Sequence, residues 1–276
     1  MRFISFSNGG RSGWGRVEGD TVIDLTNADA PTLKAAIAGG PLARFTNATG
    51  ARLARGDVAL LPVIPDPDKI LCVGHNYEDH RQETGRAKVD NPSIFIRFAD
   101  TLLGADDPIV RPSVSTSLDY EAELAVVIGI GGRAIAEHDA MAHVAGFACF
   151  NDASVRDWQW HTSQFAPGKN FPATAPFGPE LVSPDEIADL AAVGVVSRLN
   201  GAVMQEATVA DMIFSIPRII AYLSTFTRLS PGDVIATGTP GGVGAKRQPP
   251  VWMRAGDTIE VAVSGIGTLR SAIVDE

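Results

Sequence analysis

The sequence predicts a mainly β, α+β architecture, and three observations carry that expectation. Short runs rich in β-branched and aromatic residues far outnumber helical patterns, the stretches between them are short, and Gly, Asn and Asp turns punctuate them. From the N-terminus, RFISF and WGRVEGDTVIDL alternate and turn at Asn8–Gly9–Gly10 and at Glu18–Gly19–Asp20. A helical stretch runs from Pro31 to Ala38 and stops at Gly39–Gly40. The proline-spaced VIPDPDK that follows is an extended connector, because each proline fixes its own φ and restricts its predecessor. A domain boundary is expected there, with a small N-terminal domain over 1–66 and a larger domain over 67–276.

Beyond the connector, KILCVG, SIFIRF and YEAELAVVIG read as strands, Ile135 to Val144 as a helix, and GFACFND as another strand. VGVVSRLNGAVMQEA reads as a hairpin turning at Asn200–Gly201. Ile216 to Phe226 carries an apolar helical pattern that Ser215 and Pro217 can start. DVIATGTP, DTIEVAVSGIG and TLRSAIV complete a strand-rich C-terminus. The expected sheet is mainly antiparallel, with helices packed on it.

With 276 residues, the chain can bury a core that needs neither disulfide nor structural metal. Its two cysteines, Cys72 and Cys149, lie in apolar stretches and read as buried free thiols. A net charge of −9 with no Lys/Arg run argues against a nucleic-acid partner. No apolar run approaches the ~20 residues of a membrane span, and the start lacks a signal-peptide core. A cytoplasmic protein is expected.

The strongest chemical signal is Asp119–Tyr120–Glu121–Ala122–Glu123. Residues two apart on a strand share a face, so Glu121 and Glu123 project side by side. Two such charges repel unless a cation lies between them, and hard cations favour oxygen ligands. A solvated strand face explains the pair equally well when it is taken alone. Asp152 adds a carboxylate at a strand end, a position also suited to a cap or turn. His80 and Glu83 stand three apart, so on a helical turn the carboxylate can orient the imidazole and raise its basicity. Their segment, Tyr77 to Pro92, is polar and holds Gly and Pro, as a lid that orders on ligand binding would. Arg156 and Gln159 share a helical face, and Lys169 in PGKNF can reach a cleft as a point charge. TGTPGGVG lacks the spacing of a nucleotide P-loop, but its amides and hydroxyls can hold a carboxylate.

Taken in order, KILCVGHNYEDHRQE, DYEAELAVVIG, FNDASVRDWQ, PGKNF and LSPGDVIATGTPGGVG resemble the fumarylacetoacetate hydrolase family. The resemblance covers about Lys69 to the C-terminus, and the N-terminal unit resembles the short leading domain of bacterial members. It implies rolled mixed β-sheets around one divalent cation, Mg2+ or Mn2+, and a homodimer. It places the metal carboxylates on Glu121, Glu123 and Asp152 and the catalytic pair on His80 and Glu83. It implies a further catalytic group at Lys169 and substrate-holding groups at Arg156, Gln159 and Thr239. Trp160–His161–Thr162–Ser163–Gln164 is the feature less usual for that family, and its His161 and Gln164 are expected to shape the pocket. The activity it implies is metal-dependent hydrolysis of a carbon–carbon bond in a small diketo acid, an acylpyruvate or a sugar-derived 2,4-diketo acid. Oxaloacetate-type decarboxylation, dienedioate isomerisation and ureidoglycolate cleavage remain open, since the same residues fit each.

Overall fold

A computed structural model describes residues 1–276. The first segment forms strands β1 (Arg2–Asn8), β2 (Arg11–Glu18) and β3 (Thr21–Asp24), helix α1 (Leu33–Ala38), and strands β4 (Ala51–Ala54) and β5 (Ala59–Leu60). Helix α1 begins after Pro31 because Thr32 caps it, its hydroxyl accepting the Ala35 amide at 3.1 Å. Next come β6 (Ile70–Gly74), α2 (Glu78–Glu83), β7 (Ser93–Arg97), β8 (Leu102–Leu103), β9 (Ile109–Arg111) and β10 (Leu118–Asp119). Strands β11 (Ala122–Ile128), β12 (Val144–Asn151) and β13 (Ser154–Val155) follow, then short helices α3 (Arg156–Gln159) and α4 (Ala166–Lys169). The chain closes with β14 (Ala175–Val182), β15 (Gly194–Leu199), β16 (Ala202–Thr208), α5 (Ile216–Phe226), β17 (Val234–Ala236), β18 (Thr258–Val263) and β19 (Gly267–Asp275).

A 12-stranded sheet runs β4-β3-β2-β1-β14-β12-β11-β17-β6-β7, with β5 on β1 and β8 on β14. A five-stranded sheet, β16-β15-β18-β19-β9, lies against its β11, β12 and β14 region. Most pairings are antiparallel, but β17–β6, β19–β9 and β14–β8 are parallel. Strand β11 is covered on both sides. Leu124, Val126 and Ile128 join a core shared with α5, whereas Ala125 and Val127 join one shared with Phe3 and Trp14. Burial on both faces is why AELAVVI reads as a continuous apolar run. Helix α5 buries Ile216, Ile219, Ile220 and Leu223, a one-sided stripe at helical spacing, each contributing about 1.5–3 kcal/mol.

The helix expected over Ile135 to Val144 is instead a 3-10 helix, Glu137–His143. Only Ala140 is buried in it, so tertiary packing does little to hold a full α-helix. Strand β1 pairs with β14, Phe3 opposite Leu181, so the large sheet continues across the connector near residue 66. Both cysteines are free and buried. No helix is long and apolar enough to cross a membrane.

Candidate metal centre

The antiparallel register of β11 and β12 sets Ala122 opposite Asn151. Asp152, the next residue, therefore lands beside Glu121, and its amide donates to the Glu121 carbonyl at 2.9 Å. Pleating turns Glu121 and Glu123 to one side, and carboxylate oxygens of Glu121, Glu123 and Asp152 all lie within 4.8 Å of one another. All three residues are buried.

Three cations surround this triad and leave one carboxylate uncompensated. Lys169, 1% exposed, sets its ammonium 2.7 Å from Glu121 Oε2 and 2.6 Å from Asp152 Oδ2. Arg156 Nη2 lies 2.7 Å from Glu121 Oε1, and buried Arg97 pairs with Asp152 Oδ1. Burial raises the Glu121 carboxyl, but Lys169 and Arg156 outweigh that and hold it well below the usual carboxylate range. Burial likewise works against the Lys169 ammonium, yet Asp152 and Glu121 raise it overall. Glu123 has no cationic side chain. Its one hydrogen bond comes from the Gly238 amide at 2.8 Å, and burial followed by the Asp152 and Glu121 charges pushes its carboxyl well above the ordinary value. A buried, all-oxygen cluster with one uncompensated charge fits a hard divalent cation.

The His80–Glu83 dyad follows one of two parallel strands whose C-terminal ends point the same way. Strand β6 ends at Gly74 and leads through His75–Asn76 into α2, and β17 ends at Ala236 and leads into Thr237–Gly238–Thr239. Fully buried Asn76 joins the two, donating to the Thr237 carbonyl at 2.7 Å and to the Phe214 carbonyl at 3.1 Å, and accepting from the Phe214 amide at 2.7 Å. On α2, His80 Nδ1 lies 2.6 Å from Glu83 Oε1, while Glu83 Oε2 accepts from the Gly242 amide at 2.9 Å. Helix α2 is thus formed and tied to the glycine-rich loop. Beyond α2, Gly85 to Asn91 is a continuously exposed stretch.

A cavity of about 110 Å³ joins these parts, with Glu121, Glu123, His80, Lys169, Arg156 and Thr239 among its lining residues. Two expected substrate-holding groups are spent on the protein itself. Arg156 binds Asp119 through Nε at 2.8 Å and Gln159 Oε1 through Nη1 at 2.8 Å, which leaves Gln159 its amide hydrogens to offer. The Thr239 hydroxyl donates to the Ala122 carbonyl at 2.9 Å and accepts from Gln205 Nε2 at 2.7 Å. Lys169 likewise bridges two carboxylates rather than standing free in the cleft. His161 and Gln164 are exposed and do not line the cavity, whereas their neighbours Trp160 and Phe165 do.

Three residues that the sequence reading passed over also matter. Asp119 accepts from Arg156 and from the Gly244 and Ala245 amides at 2.8 and 3.0 Å, joining α3 to the end of the glycine-rich loop. Its place two residues before Glu121 was the available signal. Arg97 contacts Asp152 from β7, a pairing with no local signature. His75 lines the cavity and stacks on His80, ring centroids 5.3 Å apart and 13° from parallel.

Residues 69–274 match the family model described as fumarylacetoacetate (FAA) hydrolase C-terminal, and residues 1–62 match one described as Rv2993c-like, N-terminal. Oxaloacetate tautomerase FAHD2A, mitochondrial, from Homo sapiens is 42% identical over 224 residues, covering 80% of this chain and 71% of that protein. Fumarylacetoacetate hydrolase from Exiguobacterium antarcticum superposes with a TM-score of 0.88 at 35% identity, over 100% of both chains. Maleylpyruvate hydrolase from Sphingobium sp. SYK-6, solved in complex with manganese (II) ion and pyruvate, superposes with a TM-score of 0.81 at 28% identity, over 100% of this chain and 99% of that one. The matched stretch takes in every residue of the cavity described above, and it makes this chain an enzyme of the fumarylacetoacetate hydrolase family.

Proposed function

We propose that the protein is a divalent-metal-dependent hydrolase that cleaves a carbon–carbon bond in a small diketo acid of the acylpyruvate kind. The observation that carries this reading is the His80–Glu83 pair, whose His80 lines the same cavity as Glu121 and Glu123 of the carboxylate triad. A cation held by Glu121, Glu123 and Asp152 would supply Lewis-acid stabilisation of oxygen charge, and manganese with pyruvate in the Sphingobium hydrolase supports that choice. With Glu83 held on Nδ1, His80 has Nε2 left to take a proton from water. The hydroxide adds to the distal carbonyl, and the carbon–carbon bond breaks with its electron pair passing to the pyruvate fragment as an enolate. His80 returns the proton, giving a carboxylic acid and pyruvate. Arg156 and Lys169 hold Glu121 and Asp152 in place, and the Gln159 amide group is the donor left to orient substrate.

A second reading is favoured by the name of the human relative. The same dyad, placed over C3 of oxaloacetate, would move a proton between keto and enol forms without consuming water. Assays with manganese, following acetylpyruvate cleavage and enol-oxaloacetate ketonisation side by side, separate the two. Hydrolysis predicts acetylpyruvate turnover that falls ~10²–10⁴-fold in His80→Ala, the usual contribution of a general base. Ketonisation alone would replace hydrolysis by the tautomerase reading.

A further inference from the structure

The proposed reaction gives His75 no task, yet the fold holds it in an unusual backbone. With Ala134, Ala173 and Asn200 it is one of four non-glycine residues at positive φ, and of these it alone lines the cavity. Backbone of this kind persists only where its surroundings hold it, and it gathers at active sites. The His75 ring lies face to face with the His80 ring, centroids 5.3 Å apart and 13° from parallel, and meets Phe165 at 6.1 Å and 66°. Phe165 in turn meets Phe95 of β7 at 5.8 Å and 71°, and the Lys169 ammonium lies 4.9 Å from the Phe95 centroid. All five side chains line the cavity. They make a chain of contacts from the His80 base to Lys169, which holds Glu121 and Asp152. His75 is the link next to the base. Its ring nitrogens make no hydrogen bond within the protein, so what it offers His80 is a flat face. Burial, followed by the His80 and Arg86 charges, lowers its pKa from 6.5 to about 4, so that face is neutral at neutral pH. A neutral ring can lie against His80 before and after His80 takes up a proton, whereas a charged one would repel the imidazolium.

We propose that His75 is a positioning residue, whose stacked ring fixes the plane of the His80 imidazole and keeps Nε2 turned into the cavity. This rests on the reading of His80 as the base, common to both reactions above, and deepens it. The hydrogen bond from Glu83 to Nδ1 holds one edge of the imidazole, and a single edge contact leaves the ring free to tilt. A second ring packed on its face removes that freedom. The strained backbone and Phe165 hold that second ring in turn.

The test compares His75→Asn and His75→Phe with the wild type on the full chain with Mn2+, using whichever of acetylpyruvate cleavage and enol-oxaloacetate ketonisation the wild type catalyses. Asparagine tolerates left-handed backbone but has no ring. In His75→Asn kcat should fall about tenfold to a hundredfold, the scale of misplacing a catalytic group by about 1 Å. KM and the calorimetric Mn2+ affinity should stay within about twofold, because neither binding group has moved. In His75→Phe, which restores a neutral face without a nitrogen, kcat should return to within about threefold of the wild type. Unchanged kcat in His75→Asn overturns the proposal. So does a folded His75→Phe as slow as His75→Asn, since the nitrogens would then matter rather than the face. Phenylalanine takes up left-handed backbone less readily than histidine, so a second readout uses the asparagine variant alone. At mildly alkaline pH, nitrogen NMR of the wild type should show His80 in one tautomer, with its proton on Nδ1 toward Glu83. In His75→Asn the two ring-nitrogen shifts should move toward each other, and identical shifts in both proteins overturn the proposal. If the wild type catalyses neither reaction, the base reading falls, and the NMR comparison still decides whether His75 fixes the ring.

Discussion

His75 shows how one residue can be strained, half-buried and placed at a site all at once. Its φ of 56° lies in the left-handed region, which costs a non-glycine residue about 1–3 kcal/mol unless its surroundings hold it. Here they do, with His80 stacked on one face and Phe165 edge-on at 6.1 Å. Burial, followed by the His80 and Arg86 charges, lowers its pKa from 6.5 to about 4. Between those values the unfolded chain binds a proton that the folded chain refuses. Its contribution to stability is therefore whole above about pH 6.5 and is lost as the pH falls toward 4. His75→Asn, a residue that tolerates left-handed backbone, should flatten the fall of stability across that window. Urea unfolding at several pH values within it checks this, and equal slopes in both proteins would show that His75 does not set the dependence.

At the scale of elements, the glycine-rich loop and helix α2 act as one unit. Gly242 has φ 101°, and a Cβ there would lie 2.2 Å from the Met204 carbonyl oxygen on β16. Only glycine lets the loop pass β16 closely enough for the Gly242 amide to hold Glu83, which in turn holds His80. Gly242→Ala should therefore cost about 1–3 kcal/mol of stability through backbone strain. It should also lower kcat by about tenfold to a hundredfold, less than loss of the base itself. Manganese affinity should hold, because the triad sits on other elements. Calorimetry beside steady-state kinetics reads both, and a weakened metal site with unchanged kcat would contradict this coupling.

At the scale of the whole molecule, the leading segment is built into the sheet that carries the site. Phe3 and Trp14 share a core with Ala125, Phe150, Phe177 and Leu181, from β11, β12 and β14. Two family models meet between residues 62 and 69, yet β1 lies edge to edge with β14. We therefore propose that the two segments, 1–66 and 67–276, fold as one unit. A chain of 67–276 alone should expose that core and the bare edge of β14, bind an apolar dye and lose cooperative unfolding. A soluble fragment with a sharp transition would show instead that the larger segment folds alone.

Much of this protein is written in local pattern. A period of two put Glu121 and Glu123 on one face, Asn200–Gly201 set a two-residue turn, and the 216, 219, 220, 223 stripe drew helix α5. His80 and Glu83 met because three residues apart on a helix are neighbours. These features arise from interactions a few residues apart, so the order of the residues carries them. What only the tertiary structure decided lies between distant segments. The β11–β12 register brought Asp152 beside Glu121, and the parallel pairing of β6 with β17 brought the dyad to the glycine-rich loop. Packing also spent the Thr239 hydroxyl and the Arg156 guanidinium on the protein's own groups, and placed Arg97 against Asp152. A charged side chain in the sequence has many possible partners. Burial removes water as the alternative and leaves each charge the partner that the fold brings to it.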